Sequence, residues 1–422
     1  MIKSLLIFLG LFQFAFSLDA TMEIIKNKSS LPTINIVSAT DSPNIDSIDS
    51  KILKLIQKDL QVSCHFNDSS ISIETGFTET PKYSILKENG IDLYLVLKVL
   101  QDENAKYIVN TKLYDVNTNT IVQSKSYSTT SFARYPFLAH KIAIDVNRYL
   151  KAPSIDWMDK FVIFSRYLDS KTSEIVISDY TLTYQKVVVK GGLNIFPKWA
   201  SSEQNAFYYT SYRGMTPSLM KQNLYTNKLE TLLSSDGMIV CSDVSDDGKK
   251  LVLTMAPNSQ PDIYVYDTET RIKTRITTYS GIDVGGNFVE NDSKIVFVSD
   301  RLKYPNIFAK KIGQNGVERM IYHGRNNSQS TTSDDYIVYS SRESDNEFGS
   351  NVFNLYLMST KSDYVRRLTT NGRNQFPKFS SNGESILFIK SAERSNLGII
   401  RINYNKSFLF PLKSGKLQSI DW

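Results

Sequence analysis

From Phe161 to the last residue the chain repeats one pattern of apolar and polar positions. An anchor residue is followed by a polar turn, an apolar strand, an alternating strand and a short outer strand. Phe196-Pro197-Lys198-Trp199 leads to Ala206-Phe207-Tyr208-Tyr209-Thr210. Cys241-Ser242-Asp243-Val244 leads, through Ser245-Asp246-Asp247-Gly248, to Leu251-Val252-Leu253-Thr254. Phe288 precedes Ile295-Val296-Phe297-Val298-Ser299, and Ser333-Asp334-Asp335 precedes Tyr336-Ile337-Val338-Tyr339-Ser340. Phe376-Pro377-Lys378-Phe379 leads, through Ser380-Ser381-Asn382-Gly383, to Ile386-Leu387-Phe388-Ile389. The anchors Trp199, Val244, Phe288, a position near Thr331, Phe379 and Trp422 recur about every 45 residues, the period of a WD40-like propeller blade of four strands.

Third strands are expected at Asn223-Leu224-Tyr225, Asp262 to Tyr266, Asn306 to Phe308, Asn354 to Leu357 and Leu397 to Ile400. Fourth strands are expected at Leu229 to Leu233, Arg271 to Thr277, Val317 to Ile321, Tyr364 to Thr369 and Phe408 to Leu412. The Gly-containing tetrapeptides supply the tight turns between first and second strands. Phe161 to Ser165, Glu174 to Asp179 and Gln185 to Val189 read as strands two to four of a sixth unit that lacks its own first strand. Two segments compete for that slot, because Ser154-Ile155-Asp156-Trp157 and Ser419-Ile420-Asp421-Trp422 are identical. The C-terminal copy is the favoured occupant, since it leaves no open sheet edge. The expected architecture is an α/β N-terminal domain followed by an all-β six-bladed propeller closed by the C-terminal strand.

Residues 31–150 have a different texture. Ile34 to Val37 reads as a strand. Ile48, Ile52, Leu55, Ile56 and Leu60 fall at helical spacing behind the capping candidates Asp46 and Ser47. Asp92 to Leu97 is a buried strand, and Tyr107 to Tyr114 with Ile121 to Tyr127 is a hairpin. Leu138, Ile142, Val146 and Leu150 mark a last helix. Lys151-Ala152-Pro153 links this α/β domain to the propeller at 154–422.

At the start of the chain, Lys3 precedes an apolar run from Leu5 to Phe16, and small residues at Ala15 and Ser17 suit processing of a signal peptide over 1–17, with a second option after Ala20. The run is short for a membrane span, the rival reading. No other stretch is long and apolar enough, so no direct membrane span is expected.

Net charge is +6 over 422 residues with no basic stripe, which argues against a nucleic-acid partner. The two cysteines, Cys64 and Cys241, fall in different domains and are expected to be separate buried thiols. His65 is expected on a strand beside Cys64, the two pointing to opposite faces. Three widely spread histidines make a His-rich metal site an unpromising reading, no nucleophile elbow is present, and neither a cofactor nor a catalytic group is expected. The competing class is a propeller hydrolase or lyase with two carboxylates facing the central channel.

The order of segments, Gly90-Ile91-Asp92 before a hydrophobic strand, Arg134-Tyr135 with His140 before the last helix of the α/β domain, and the degenerate Pro-x-aromatic units at Pro197 and Pro377 resemble the TolB family of the Tol-Pal envelope system. The resemblance covers essentially the full length, although the units at Val244 and Phe288 lack the proline. It implies a monomeric periplasmic scaffold that binds the peptidoglycan-associated lipoprotein Pal and the inner-membrane protein TolA, supporting outer-membrane integrity and envelope constriction in cell division. Pal would meet loops entering the first strands, for which Asn194, His323, Arg325, Asn326, Asn327, Arg373 and Asn374 are the candidates. TolA would meet the free segment 18–30, where Asp19, Thr21, Met22, Glu23, Ile24, Ile25 and Lys26 alternate as a strand added to a partner's sheet would.

Overall fold

The computed structural model describes residues 31–40, 46–69, 71, 73, 75–103, 106–342 and 352–422. The expected signal peptide and the segment 18–30, with Asp19, Thr21, Met22, Glu23, Ile24, Ile25 and Lys26, lie outside the described residues.

The N-terminal unit is a five-stranded mixed sheet with helices against it. Its elements are β1 (Thr33–Ser38), α1 (Asp46–Ser63), β2 (Asn67–Ser69), α2 (Tyr83–Glu88), β3 (Leu93–Gln101), β4 (Tyr107–Asp115), β5 (Thr120–Thr129) and α3 (Tyr135–Tyr149). The strand order is β2-β1-β3-β4-β5, parallel at β1 and antiparallel beyond β3. Strand β3 shows why its sequence is a continuous apolar run. Leu93, Leu95, Leu97 and Val99 pack on α1 and α3, while Tyr94 and Val96 face a second cluster with Leu86 and Ile91. Alternation with both faces covered demands apolar residues at every position. The apolar stripe of α1 enters the first cluster, as does that of α3. Strand β2 and helix α2 are too short to carry a periodic signal, and the sequence pattern misses them.

Cys64 and His65 are not on a strand. They follow the last turn of α1, where Cys64 takes a left-handed φ of 65°. Both cysteines are free and buried, and burial pushes the thiol pKa of each upward.

Among the described residues, 162–421 build four separate four-stranded antiparallel sheets and one eight-stranded sheet made of two such units, counted as six sheets in turn. The first is Asn194–Trp199, Ala206–Ser211, Ser218–Asn223 and Leu229–Ser234. The second is Ile239–Val244, Lys250–Met255, Asp262–Asp267 and Lys273–Arg275. The third is Asp283–Val289, Lys294–Ser299, Asn306–Lys311 and Glu318–Arg319. The fourth is Arg325–Ser333, Tyr336–Arg342, Phe353–Ser359 and Val365–Arg367. The fifth is Arg373–Phe379, Ser385–Ser391, Ser395–Arg401 and Lys406–Pro411. A single parallel bridge, Phe353 with Arg373, joins the fourth to the fifth. In the sixth, Lys416–Asp421 pairs antiparallel with Val162–Tyr167, followed by Ser173–Ser178 and Gln185–Val189.

The C-terminal copy of the duplicated tetrapeptide therefore holds the strand position. The other copy enters a 3-10 turn at Asp156–Asp159, where Trp157 packs edge-on against Trp422 at 5.0 Å. The third strand of the first sheet ends where the sequence pattern began it. The Asn223 side chain accepts the Tyr225 and Thr226 amides, which turns the chain and excludes Leu224 and Tyr225 from the sheet. The tetrapeptide turns form by one mechanism at two places. Ser245 Oγ accepts the Lys250 amide and Ser380 Oγ the Ser385 amide, with Gly248 and Gly383 left-handed at φ 73° and 70°. Only glycine adopts that conformation without cost.

The two units meet over an apolar contact and a buried ionic one. Val62 and Ile144 pack with Ile155, Trp157, Leu182, Phe410 and Leu412. Beside them, fully buried His140 of α3 lies 2.8 Å from Asp59 of α1 through Nδ1 and 3.3 Å from Asp179, which directly follows the strand Ser173–Ser178, through Nε2. Tyr180 donates its hydroxyl to Asp59, and Thr181 donates to Asp179. Burial opposes the imidazolium, but the Asp59 and Asp179 carboxylates outweigh it and carry the His140 pKa up to about 10. Burial likewise opposes ionisation of Asp179, and His140, Thr181 and the Tyr184 amide hold that carboxyl low. Burial keeps the Asp59 carboxyl high despite His140 and Tyr180. The two carboxyls are thus unequal, and Asp179 is the firmer counter-ion.

Candidate channel and rim of the propeller

The first strands of the six sheets lie against one another in turn. Contacts run from Asn194–Trp199 to Ile239–Val244, Asp283–Val289, Arg325–Ser333, Arg373–Phe379 and Lys416–Asp421, and from the last back to Asn194–Trp199. Each is bulged in mid-strand where its register with the second strand shifts. Phe196, Gly285, Gln329 and Phe376 take left-handed φ values at these bulges, from 52° to 65°. A bulge frees backbone groups from the ladder, and a side chain of the neighbouring sheet satisfies them. Ser419 Oγ accepts the Phe196 amide, Asp421 Oδ2 the Trp199 amide, Asp243 Oδ2 the Phe288 amide and Gln329 Oε1 the Phe376 amide. Ser242 Oγ donates to Gly286 and Asn287 Nδ2 to Ser330. Polar residues recur on these strands because they stitch one sheet to the next.

Lys198 and Lys378 occupy matching positions in the two Phe-Pro-Lys units and meet among these strands. Lys198 Nζ lies 3.1 Å from both Asp243 Oδ1 and Asp421 Oδ1, while Lys378 Nζ reaches Asp421 Oδ1 at 3.9 Å. Burial works against the Lys198 ammonium, yet Asp421 and Asp243 outweigh it and hold its pKa above the usual lysine range. Lys378 is pushed down by burial and by Lys198, only partly offset by the carboxylates. The repeat pattern contains Lys198 and Lys378 without assigning them a role. The signal was available, since the same motif recurs in two units. Asp243 and Asp421 share that signal, since each stands immediately before its unit's anchor, Val244 and Trp422, as the lysines do before Trp199 and Phe379.

The carboxylates of Asp243 and Asp421 are both paired with the Lys198 ammonium. Their other oxygens are engaged by backbone amides. Among the described residues, no group of three or more His, Cys, Asp or Glu side chains is placed to hold a metal, and no helix is long and apolar enough to cross a membrane.

In an antiparallel four-stranded unit, the start of the first strand and the turn between the second and third strands share one end. The residues singled out in the sequence lie at that rim, in two groups. Asn194, Asn327 and Asn374 are fully buried. Asn194 Nδ2 donates to Gly191, Asn327 Nδ2 to Asn306 and His323, and Asn374 Nδ2 to Phe353 and Asn371. These amides brace the entry of their strands and offer no free surface to a partner, which corrects the reading of them as contact residues. They follow turn residues in sequence, and a turn pattern does not distinguish a bracing amide from an exposed one.

His323 and Arg373 are exposed. His323 packs beside Tyr339 and Tyr356, with the Tyr339 hydroxyl 2.6 Å from Nε2, and burial of the ring lowers its pKa. The Arg373 guanidinium stands 5.7 Å over the Phe353 ring. Asn326 is half-buried with a left-handed φ of 60°, and Arg325 opens its strand. The pattern missed the apolar members of this rim, Leu168, Tyr212, Met215, Ile282 and Tyr322, all exposed and all in loops. An Asn374→Ala variant is expected to lose about 1–3 kcal/mol of stability, from the unpaired carbonyls it leaves. A urea titration checks this by a lowered midpoint at unchanged slope.

Family models match two parts of the chain. Residues 160–422 match the TolB beta propeller domain, and residues 20–122 match the TolB amino-terminal domain. The chain is 48% identical over 410 residues to the Tol-Pal system protein TolB of Wolinella succinogenes, covering 96% of this chain and 97% of the relative. It is 46% identical to the protein of that name from Helicobacter pylori, with the same coverage. The crystal structure of TolB from Acinetobacter baumannii has the same fold, with a TM-score of 0.77 at 21% identity over 93% of this chain and 96% of that one. Near-full-length identity of this order, with both family domains in sequence, shows that the chain belongs to the TolB family of Tol-Pal system proteins.

Proposed function

We propose that the chain is a periplasmic, monomeric, non-catalytic scaffold that binds Pal at the rim of its propeller and TolA through the segment 18–30. In this reading 1–17 is a signal peptide, 31–150 the α/β domain and 154–422 a six-bladed ring closed by the C-terminal strand. The return contact between Lys416–Asp421 and Asn194–Trp199 supports the closed ring. The bridge between Pal and TolA would serve outer-membrane integrity and envelope constriction during cell division.

The observation that carries the reading is the contrast between channel and rim. The carboxylates in the channel are tied to Lys198, whereas the rim exposes Tyr322, Met215, His323 and Arg373 over a braced frame. Exposed aromatic, Met and Arg side chains on a rigid frame suit a protein partner. His323 and Arg373 are the contacts proposed to recognise Pal, with Arg325 and Asn326 beside them, and Asn194, Asn327 and Asn374 hold the loops in shape. Any influence of one partner on the other must be reciprocal, and the buried His140 contact between the units is the element through which it would pass.

A pull-down from envelope extract tests the scheme. The full-length protein is expected to recover Pal and TolA, and protein lacking residues 18–30 to recover Pal alone. Recovery of neither by the full-length protein defeats the reading.

A further inference from the structure

Beside the lysine–aspartate cluster the first strands and their neighbours line an open cavity of about 310 Å³, at the small end of the range of ligand sites. Its walls include Phe196, Met238, Val240, Val284 and Phe376. Several of the polar residues that also line it hydrogen-bond to neighbouring strands. Ser242, Asn287 and Gln329 bond the next sheet, Ser419 accepts the Phe196 amide, and Thr254 Oγ1 accepts the Gly285 amide. The well is thus largely apolar, and Lys198 and Lys378 are the charged residues of its lining.

The two ammonium groups differ. Lys198 holds both carboxylates at 3.1 Å, and Lys378 has one carboxylate at 3.9 Å, already shared. The under-compensated cation is therefore Lys378. Burial and Lys198 both disfavour its charge, and an anion arriving from the well would restore it. Apolar walls with one cation short of a counter-ion fit a specific chemistry.

We propose that the well binds a small amphiphilic anion, an unbranched apolar chain of medium length ending in a carboxylate, with the carboxylate on Lys378 Nζ and the chain against Phe196, Val240 and Phe376. The ligand is a small molecule in the well rather than a protein at the rim, and failure of its binding would leave that reading untouched.

Isothermal titration of the full-length protein near pH 7 with octanoate, and with octylamine as the cationic analogue, tests the proposal. Octanoate is expected to bind with one saturable site and octylamine with none. Lys378→Met should weaken octanoate at least tenfold, and Val240→Phe, which fills the well, should do the same without touching the charge. Circular dichroism melting reports whether each variant folds, and Lys378→Gln replaces Lys378→Met if that protein does not. Absence of saturable octanoate binding, equal binding of octylamine, or wild-type affinity in a folded Lys378 variant overturns the proposal.

Discussion

Removal of residues 416–422 is expected to abolish cooperative folding of the propeller. The segment supplies the first strand of the sixth sheet, and its loss exposes the edge of Val162–Tyr167. Leu417 and Ile420 are buried in the cluster that also holds Trp157, Phe164 and Phe410. Deleting large aliphatic side chains from such a cluster costs about 2–5 kcal/mol each. Asp421 goes with them, leaving the Trp199 amide without its acceptor and Lys198 with one carboxylate in place of two. Together these losses are of the order of the whole stability of a domain, about 5–15 kcal/mol. The expected result is a protein without a sharp melting transition in near-ultraviolet circular dichroism. A transition at the wild-type temperature would remove the C-terminal strand from the account. Asp421→Asn is the milder form, and its effect should fall toward the lower end of the about 3–5 kcal/mol seen when one member of a buried ion pair is removed.

The second large effect is expected at His140. Replacing it with Leu leaves Asp59 and Asp179 facing each other without a cation, and the expected loss is about 3–5 kcal/mol in a urea titration. The pH dependence has a definite sign. The folded-state pKa is raised, so the folded protein holds the proton more tightly than the unfolded chain, whose histidine titrates near ~6.5. The stabilisation is complete below that value and is lost as pH rises through about 10. Besides Asp59 and Asp179, Tyr180 bonds Asp59 and the Asp159 carboxyl lies near enough to feel His140. Lysines and tyrosines elsewhere titrate in wild type and variant alike and cancel in the difference. The stability gap between wild type and His140→Leu should therefore be flat between about pH 5 and 6.5, shrink toward pH 10, and shrink again in acid, where the Asp179 carboxyl that His140 holds low takes up a proton. A gap of the same size near neutrality and at the alkaline end would show that His140 is neutral in the folded protein.

The repeat could be read from sequence because each sheet needs the same things at the same spacing. Ser245 and Ser380 close turns of one shape, so their neighbours recur. The C-terminal strand was legible through an arithmetic of strands, since the sixth unit lacked a first strand and the chain ended with one. The identical Ser154–Trp157 segment could not be set aside on pattern alone. Its fate as a 3-10 turn depends on Trp157 packing against Trp422 and Tyr180, which is tertiary. Three outer strands, Lys273–Arg275, Glu318–Arg319 and Val365–Arg367, are shorter than the apolar pattern suggested, because pairing on one side only does not hold their ends. Cys64 was misplaced for a local reason, since a left-handed residue closing a helix has no apolar signature. The rim was half legible. Turn-forming asparagines marked its position, but burial decides which of them face outward, and burial is set by neighbours such as Asn306 and Phe353 that are distant in sequence. The charge cluster of Lys198, Lys378, Asp243 and Asp421 draws on one repeat position, the residue before each anchor, but which charges pair across it depends on the contacts between the first strands.

The central claim, a rim that binds Pal, is tested most directly by titrating the soluble domain of Pal into the full-length protein and into its Arg373→Glu variant. Arg373 is exposed, so melting should be unchanged while its charge is reversed at the proposed contact. The account predicts saturable binding to the wild type and at least a tenfold weaker Kd for Arg373→Glu. Equal affinity of the two proteins would place Pal elsewhere on the surface, and no binding to the wild type would contradict the account.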